Sequence, residues 1–360
     1  MVKHVLVINP GSTSTKIAVF RDEEPIIEKK ISHPTEQIQQ YKTIFSQHTF
    51  RKQMILEFLT ENHFDLHQLD AVCGRGGILQ PLDSGTYLVD EQMIQELKLA
   101  KRGEHASNLG AILADEIASP LGIPAFIVDP VVVDEMEPIA RISGMPLIER
   151  QSIFHALNHK AIARKACADL KRNYNEINII LVHLGGGISV GVHHHGRVID
   201  VNDALDGDGP MSPERSGTVP LGPLYRMCFS GKYTLEEIIR MNYGKGGLVA
   251  YLGSSDAREI VKRIDNNDRY AKLIYDAMIY QIAKEIGAAS TVVFGKVDYI
   301  ILTGGLAHEP YLVKAVSERV ASIAPVLVYP GEDELLSLTQ GALRVLRGED
   351  KPKIYGKMKG

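Results

Sequence analysis

The sequence predicts an α/β protein built as two copies of one fold. Strand-like apolar runs alternate with helix-periodic runs along the whole chain. Near the N-terminus, Val5-Leu6-Val7-Ile8-Asn9-Pro10-Gly11-Ser12-Thr13-Ser14 can be laid over Ile180-Leu181-Val182-His183-Leu184-Gly185-Gly186-Gly187-Ile188-Ser189, with Ser14 falling on Ser189. The offset is about half the chain, which points to a duplicated domain and not to a short-period solenoid. At 360 residues the chain also suits two domains better than one core.

Taken in order, Val5–Ile8 and Ile17–Phe20 bracket a Gly/Ser/Thr loop and predict a hairpin. Apolar spacings of three and four predict helices over Phe50–His63, Glu91–Arg102 and His105–Ala118. Ala125–Val128 reads as a buried strand ending at Asp129. A long helix is expected from about Gln151 to Arg172, then strands Ile179–Val182 and Ile188–Val192 around the glycine triplet. Helices follow near Thr234–Met241, Ala257–Ile264 and Tyr270–Ala289, then a strand, Tyr299–Leu302, and a helix starting beyond Glu309. Val326–Tyr329 is the last strand and Leu335–Arg347 the last clear helix. The tail, Gly348–Gly360, carries four lysines and three glycines and is expected to fray.

Composition narrows the class. Hydrophobic residues at 44% and charged residues at 23% are an ordinary globular mixture. A net charge of −4 gives no electrostatic reason to expect nucleic acid or an anionic membrane as partner. Anion binding therefore rests on local placement of Arg, Lys and backbone N–H groups. Only four apolar residues, Val5 to Ile8, precede Asn9-Pro10-Gly11, which reads as strand and turn rather than the core of a signal peptide. No window approaches the roughly 18 apolar residues of a membrane span. Cys73, Cys167 and Cys228 are odd in number, widely spaced and set among apolar neighbours. They read as reduced core residues of a cytosolic protein.

The octet Asn9-Pro10-Gly11-Ser12-Thr13-Ser14-Thr15-Lys16 is richest in chemistry. Gly11 permits close backbone approach, the hydroxyls donate hydrogen bonds and Lys16 brings positive charge. It is not a Walker A loop, because a strand and not a helix follows it. A polar hairpin is the plain alternative. His183-Leu184-Gly185-Gly186-Gly187 reads as a second phosphate loop or a tight turn. Thr303-Gly304-Gly305-Leu306-Ala307 lies after an apolar strand and before a helix, where open α/β sheets bind ligands.

Arg75, in Cys73-Gly74-Arg75-Gly76-Gly77, and Arg215, in Ser212-Pro213-Glu214-Arg215-Ser216-Gly217, have planar forks that suit carboxylate and phosphate oxygens. Plain solvent exposure is the alternative for each. His155 and His159 lie one helical turn apart and His105 begins or precedes a helix, yet no third ligand with zinc spacing follows. His193-His194-His195-Gly196 reads as an exposed hairpin tip. Asp129 and the cluster Glu332-Asp333-Glu334 are candidate magnesium partners through water, or simply solvated acids.

In this order the pieces resemble the acetate/butyrate kinase family of the actin-like ATPase superfamily, from Val5 to about Leu346. The Asn-x-Gly-Ser-Ser/Thr-Ser/Thr-x-Lys pattern, met here at Asn9 to Lys16, is highly specific to it. Pro10 and the compact length look like the butyrate branch. The resemblance implies two actin-like, ribonuclease H-like domains from an internal duplication with the nucleotide cleft between them. The first would span 1–150 plus a C-terminal helix at about 335–360, and the second 151–334.

The resemblance also implies roles. Asn9, Ser12, Ser14 and Lys16 would line the phosphate site. Arg75 and Arg215 would hold the carboxylate and the phosphoryl group in flight. His155, in a Phe-His-x-x-x-His pattern, would stabilise the transferring group, with His105 nearby. Asp129 would position magnesium and orient Arg75 or the nucleophile. His183, Gly185, Gly186 and Gly187 would bind the β-phosphate, and Gly304, Gly305, Leu306 and Ala307 the adenosine. Asp333 and Glu334 stand where the acetate branch carries its metal-contacting Glu-Glu-Leu. ATP/ADP and Mg2+ are the implied cofactors. A short-chain carboxylic acid and a nucleotide are the partners, and a homodimer or higher homo-oligomer is expected.

Gly76 and Gly77 stand where the acetate branch has valines, and are expected to leave volume for an alkyl chain. Gly77→Val should then cost butyrate more than acetate. The implied reaction is direct, reversible, in-line transfer: butyrate and ATP give butyryl phosphate and ADP. Acetate, propionate or branched acids are the nearest alternative substrates. A sugar kinase of the same superfamily would need an aspartate base, for which Asp129 is the attractive candidate. From another class, an ATP-gated structural or chaperone-type protein would carry a filament insertion or a client-binding domain, and neither is evident.

Overall fold

The computed structural model describes residues 1–357. In chain order its strands are β1 (His4–Pro10), β2 (Ser14–Arg21), β3 (Glu24–Ser32), β4 (Ala71–Arg75), β5 (Thr86–Leu88), β6 (Ala125–Val128), β7 (Asn178–Leu184), β8 (Ile188–His194), β9 (Arg197–Val201), β10 (Tyr299–Gly304), β11 (Val326–Pro330) and β12 (Lys353–Ile354). The chain divides into two compact units. Unit 1 holds Met1–Val133 and the chain from Asp333 onward, and unit 2 holds Asp134–Glu332.

One topology is written twice. In unit 1 the sheet order is β12-β5-β6-β4-β1-β2-β3, and in unit 2 it is β11-β10-β7-β8-β9. Each unit opens with an antiparallel meander, β1-β2-β3 or β7-β8-β9. A parallel strand then joins the first of the three, β4 beside β1 and β10 beside β7. A second parallel strand follows, β6 or β11, after a crossover helix, Asn108–Ala118 or Pro310–Val320. Parallel neighbours need such a crossover, whereas the meanders close with short turns. Val5–Ile8 and Ile179–Val182 are buried throughout, as central strands covered on both faces should be.

In unit 2 the helix Arg269–Val292 starts at Asp268, whose side chain caps it by accepting from Ala271 N at 2.9 Å. Tyr275, Met278, Ile279, Ile282 and Ile286 repeat every three or four residues and are its buried stripe. They form the unit's core with Val182, Val190 and Leu302.

Several boundaries differ from the expected ones. The domain break falls at Val133 and not at 150, because 134–150 packs into unit 2. Glu137 N donates to Ile199 O at 3.0 Å there, and Arg150 pairs with Asp200 at 2.9 Å. The helix expected from Gln151 begins at Ala156, with His155 non-helical at ψ 59°, and ends at Asp169. The tail does not simply fray. β12 pairs with β5 and Tyr355 is buried, while the last three residues lie outside those described. Cys73 and Cys167 are buried as expected, but Cys228 is exposed on a helix, Leu221–Cys228, that buries none of its residues. No helix among the described residues is long and apolar enough to cross a membrane.

The helix Ala156–Asp169 is anchored by a buried ion pair. Lys160 Nζ donates to Glu135 Oε2 at 2.6 Å and to Gly196 O at 2.8 Å, and the same carboxylate oxygen accepts from Val198 N at 2.7 Å. Both side chains are almost wholly buried. Removing one partner of such a pair strands the other charge, so Lys160→Met should lower stability by about 3–5 kcal/mol in denaturant unfolding. Lys160→Met with Glu135→Gln should recover part of that loss.

Candidate functional site

In unit 1, three elements bring charged and amide groups together. Asn9 is buried near the end of β1 and pairs in register with Lys16 on β2, so both side chains leave one face of the sheet. Arg75 ends β4, and Glu334 opens the helix Glu334–Leu346. Asn9 Nδ2 donates to Glu334 Oε2 at 2.6 Å. Arg75 Nη1 donates to Glu334 Oε1 and, at 3.4 Å, to Asn9 Oδ1. Asp333 is engaged elsewhere, capping the same helix by accepting from Leu336 N at 2.9 Å. Of the two neighbouring acids, Glu334 is the one facing Arg75.

Asp129 follows β6 with φ 37°, is 2% exposed, and accepts from Gly85 N at 2.6 Å. His105 Nδ1 accepts from Ser107 N at 3.2 Å. Burial, helped by the Arg75 charge, holds His105 below the ordinary histidine range. In the turn between β1 and β2, Ser12 is exposed and Ser14 half-buried. No group of three or more His, Cys, Asp or Glu among the described residues makes a metal cage. Magnesium held by one or two carboxylates and substrate phosphates needs no such cage, and the part-exposed Glu334 carboxylate is a donor of the kind it takes.

In unit 2 the glycine triplet joins β7 to β8, with Gly185 N donating to Gly187 O at 3.2 Å. Ser212 Oγ holds Gly186 O at 2.5 Å. A Cβ on Gly187 would lie 1.9 Å from Arg215 Nη1, so glycine there lets the guanidinium rest against the loop. Arg215 Nη1 donates to Ala204 O, the group stacks 5.0 Å from the Tyr243 ring centre, and Nε is buried without a partner.

The His155 ring stacks on His183 at 3.8 Å and 12°. His155 Nδ1 lies 3.0 Å from Ser189 Oγ. His183 Nδ1 lies 2.8 Å from Asn158 Oδ1, an acceptor, so Nδ1 carries the proton. Burial first, then the Arg215 charge, pushes His183 down to about 3. It is neutral, and its 3.6 Å approach to Glu332 is therefore not an ion pair. Gly304 sits at φ 87° and exchanges backbone hydrogen bonds with Gly331 at 3.2 and 2.9 Å. Gly305 is exposed, whereas Leu306 packs on the core and Ala307 lies within it. That segment offers backbone more than side chains.

A profile of the acetokinase family matches residues 146–325, half of the chain. The chain belongs to the acetokinase family. Its fold is similar to that of Porphyromonas gingivalis acetate kinase, with TM-score 0.79 and 22% identity over 96% of this chain and 100% of that one. It is also similar to Entamoeba histolytica acetate kinase, with TM-score 0.77 and 19% identity over 96% and 100%. A propionate kinase from Francisella tularensis subsp. tularensis SCHU S4 gives TM-score 0.74 and 20% identity over 94% and 98%. These likenesses show the fold, the duplicated actin-like ATPase architecture.

Two expectations about this acetokinase-family chain are corrected. His193 is no exposed hairpin tip: β8 runs through it, and the turn is His195-Gly196 at φ 49° and 84°. Strand alternation sends His193 inward, fully buried, with Nε2 at 3.2 Å from His159 Nδ1 and Nδ1 at 2.6 Å from Tyr174 OH. His159 Nε2 continues to Ser189 Oγ at 2.8 Å, so the cluster reaches His155 through one hydroxyl. Gly76 and Gly77 open no acyl space either. A Cβ on Gly76 would lie 2.4 Å from Pro130 Cβ, and one on Gly77 2.6 Å from Asn108 Cα and 2.8 Å from Leu97 Cδ2. The space is filled by protein. Asn158 and Arg51 escape sequence reasoning, because Asn158 falls on an unspecified position of the Phe-His-x-x-x-His pattern, Arg51 sits in no motif, and only burial marks them.

Two outcomes follow. Gly77→Val should overpack unit 1, lowering Tm and activity on acetate and butyrate alike; a selective loss on butyrate alone would restore the acyl-space reading. Burial holds His33 at about 4, His183 at about 3, and His159 and His193 well below the ordinary range. Unfolded, each takes up a proton at about 6.5, so the unfolded state gains protons first and stability falls as pH drops through about 6.5. Tm measured from about pH 7.5 to 5.5 should fall, and His193→Gln should flatten the slope.

Proposed function

We propose that this chain transfers the γ-phosphoryl group of MgATP to a short-chain fatty acid, with butyrate as its acid, and runs the reverse reaction. The observation that carries it is the convergence of Asn9, Arg75 and Glu334 beside the hydroxyl-rich turn of unit 1, in a chain of the acetokinase family. Pro10, which resembles the butyrate branch, supports butyrate. Acetate or propionate is the second reading, supported by the acetate and propionate kinases whose fold it shares. The exposed apolar residues Leu221, Tyr225, Phe229, Leu235 and Ile239 support a homo-oligomer.

A carboxylate is already ionised at neutral pH, so the reaction asks for no strong base. Its difficulty is bringing an anion to a polyphosphate through a charge-rich transition state. In this reading Arg75 orients the acid, while Asn9, Ser12, Ser14 and Lys16 hold phosphate oxygens. His155, fixed by the His183 stack and by Ser189, donates to the group in flight. Arg215 has a buried Nε without a partner and a fork that suits phosphoryl oxygens. The triplet Gly185–Gly187 and Gly304–Ala307 serve the nucleotide. Glu334 and Asp129 would hold magnesium, which neutralises phosphate charge when bound.

Incubation with MgATP and a panel of acids, trapping acyl phosphate with hydroxylamine, tests the reading. No trapped product with any short acid would sink it and leave a sugar kinase or an ATP-gated structural protein. Arg215→Ala should lower kcat about 10²–10³-fold with both KM values nearly intact, and Arg215→Lys should recover only part. A folded Arg215→Ala enzyme with normal kcat and a raised KM for butyrate would move Arg215 to ground-state carboxylate binding.

A further inference from the structure

One buried cation lies directly behind the turn between β1 and β2. We propose that Arg51 is a positioning residue whose unpaired charge, set beneath Gly11–Ser14, makes that turn a site for a phosphoryl anion. The proposal rests on the reading of the turn as the phosphate site.

Arg51 sits on the helix His48–Glu61 and is 0% exposed. Its Nη1 donates to Gly11 O at 2.9 Å, Ser14 O at 3.3 Å and Thr15 Oγ1 at 3.1 Å. Its Nη2 donates to Ser12 O at 3.2 Å. The remaining carbonyl, Thr13 O, accepts from His33 N at 2.8 Å. Every carbonyl from Gly11 to Ser14 is thus bound from within the unit. The exposed Ser12 and Thr13 are left to present N–H and hydroxyl groups outward, as in an anion-binding nest.

The acceptors of Arg51 are all neutral. Besides the turn they are only Gln47 Oε1, at 2.8 and 3.1 Å, and among the described residues no carboxylate pairs with it. Its neighbour His33, 2.8 Å from Thr15 Oγ1, is held neutral by burial and then by the Arg51 charge itself. Burial lowers the guanidinium to about 10, which leaves it charged at any working pH. A buried charge ordinarily has its counter-ion beside it. Here the missing partner is one phosphoryl group away, across a loop whose peptide dipoles point their negative ends at the guanidinium and their positive ends outward. A mere loop clamp would not need the charge; an anion site would.

The test separates charge from shape. Arg51→Gln keeps an amide for the carbonyls and loses the charge, whereas Arg51→Lys keeps the charge with fewer arms. Calorimetry with MgATP in the absence of acid, and steady-state kinetics, are run on both. Arg51→Gln should weaken MgATP about tenfold or more and raise its KM alike, with the KM for butyrate within about threefold; Arg51→Lys should restore most of the affinity. Equal losses in both variants, an unchanged MgATP affinity, or a defect confined to butyrate would overturn the proposal. Should Arg51→Gln not fold, 15N-arginine spectra of the wild-type protein decide. The shielded Arg51 Nε–H signal should move on titration with MgATP and stay still with butyrate, and a still signal at saturating MgATP overturns the idea. None of these readouts needs turnover. A wild-type protein that binds MgATP through this turn but forms no acyl phosphate would end the functional reading and leave the anion site standing.

Discussion

The carboxylate of Glu334, bonded at once by Arg75 and Asn9, is the contact on which the unit 1 site depends. Parallel pairing of β1 and β4 sets Ile8 beside Gly74, so the next residues, Asn9 and Arg75, leave their strands as neighbours. Both offer N–H donors, and neither strand supplies an acid to receive them. The acceptor comes from the far end of the chain, which returns to unit 1 as the helix Glu334–Leu346. That return is secured by packing, since Leu335, Leu338, Ala342 and Leu343 are buried and Gly341 lies close against Val128. With side-chain exposures of 38% and 23%, the ion pair itself adds little stability. Its effect is orientation: it aims the Arg75 fork.

The duplicated fold was legible because its signal is local and repeated. Short apolar runs ending in Gly and Ser produce a strand and a tight turn wherever they occur, and the match between Val5–Ser14 and Ile180–Ser189 marks the first hairpin of each sheet. Arg75 and Arg215 stood out in the sequence for a related reason. Each lies among small residues, and the fold leaves Arg75 part-exposed while the Arg215 guanidinium rests against Gly187 and the Tyr243 ring. Helix starts were harder. Residues 151–155 keep helical composition, yet His155 leaves helical geometry so that its ring can lie on His183, a partner 28 positions along the chain.

What stayed hidden depends on tertiary distance. Glycine records that a backbone is approached closely, but not by what. Gly187 makes room for the Arg215 guanidinium, whereas Gly77 makes room for Asn108 of the same unit, and the two read alike in sequence. Histidines pose the same problem at strand ends, where one residue of register decides between solvent and core. The bend of β8 between Val192 and His193 falls at that point. Arg51 has no signal at all: a cationic residue on a helix is expected to face water, and only the fold shows it buried.

The distribution of charge follows from these placements. His183, His159 and His193 are neutral through burial, so the fixed positive charge of unit 2's site lies in Arg215. Neutral rings there have a different use. Stacked and hydrogen-bonded through Ser189 and Asn158, they hold His155 in one orientation without adding cations that would repel each other in a small volume. In unit 1 the balance is reversed, with Arg75, Lys16 and the buried Arg51 set against Glu334 and Asp129. A site for an anion that must later leave benefits from such a mixture. In the reading proposed above, the Glu334 carboxylate already bonded to Arg75 would limit how tightly an incoming acid is held, and so favour interactions that strengthen as charge moves over those that only bind.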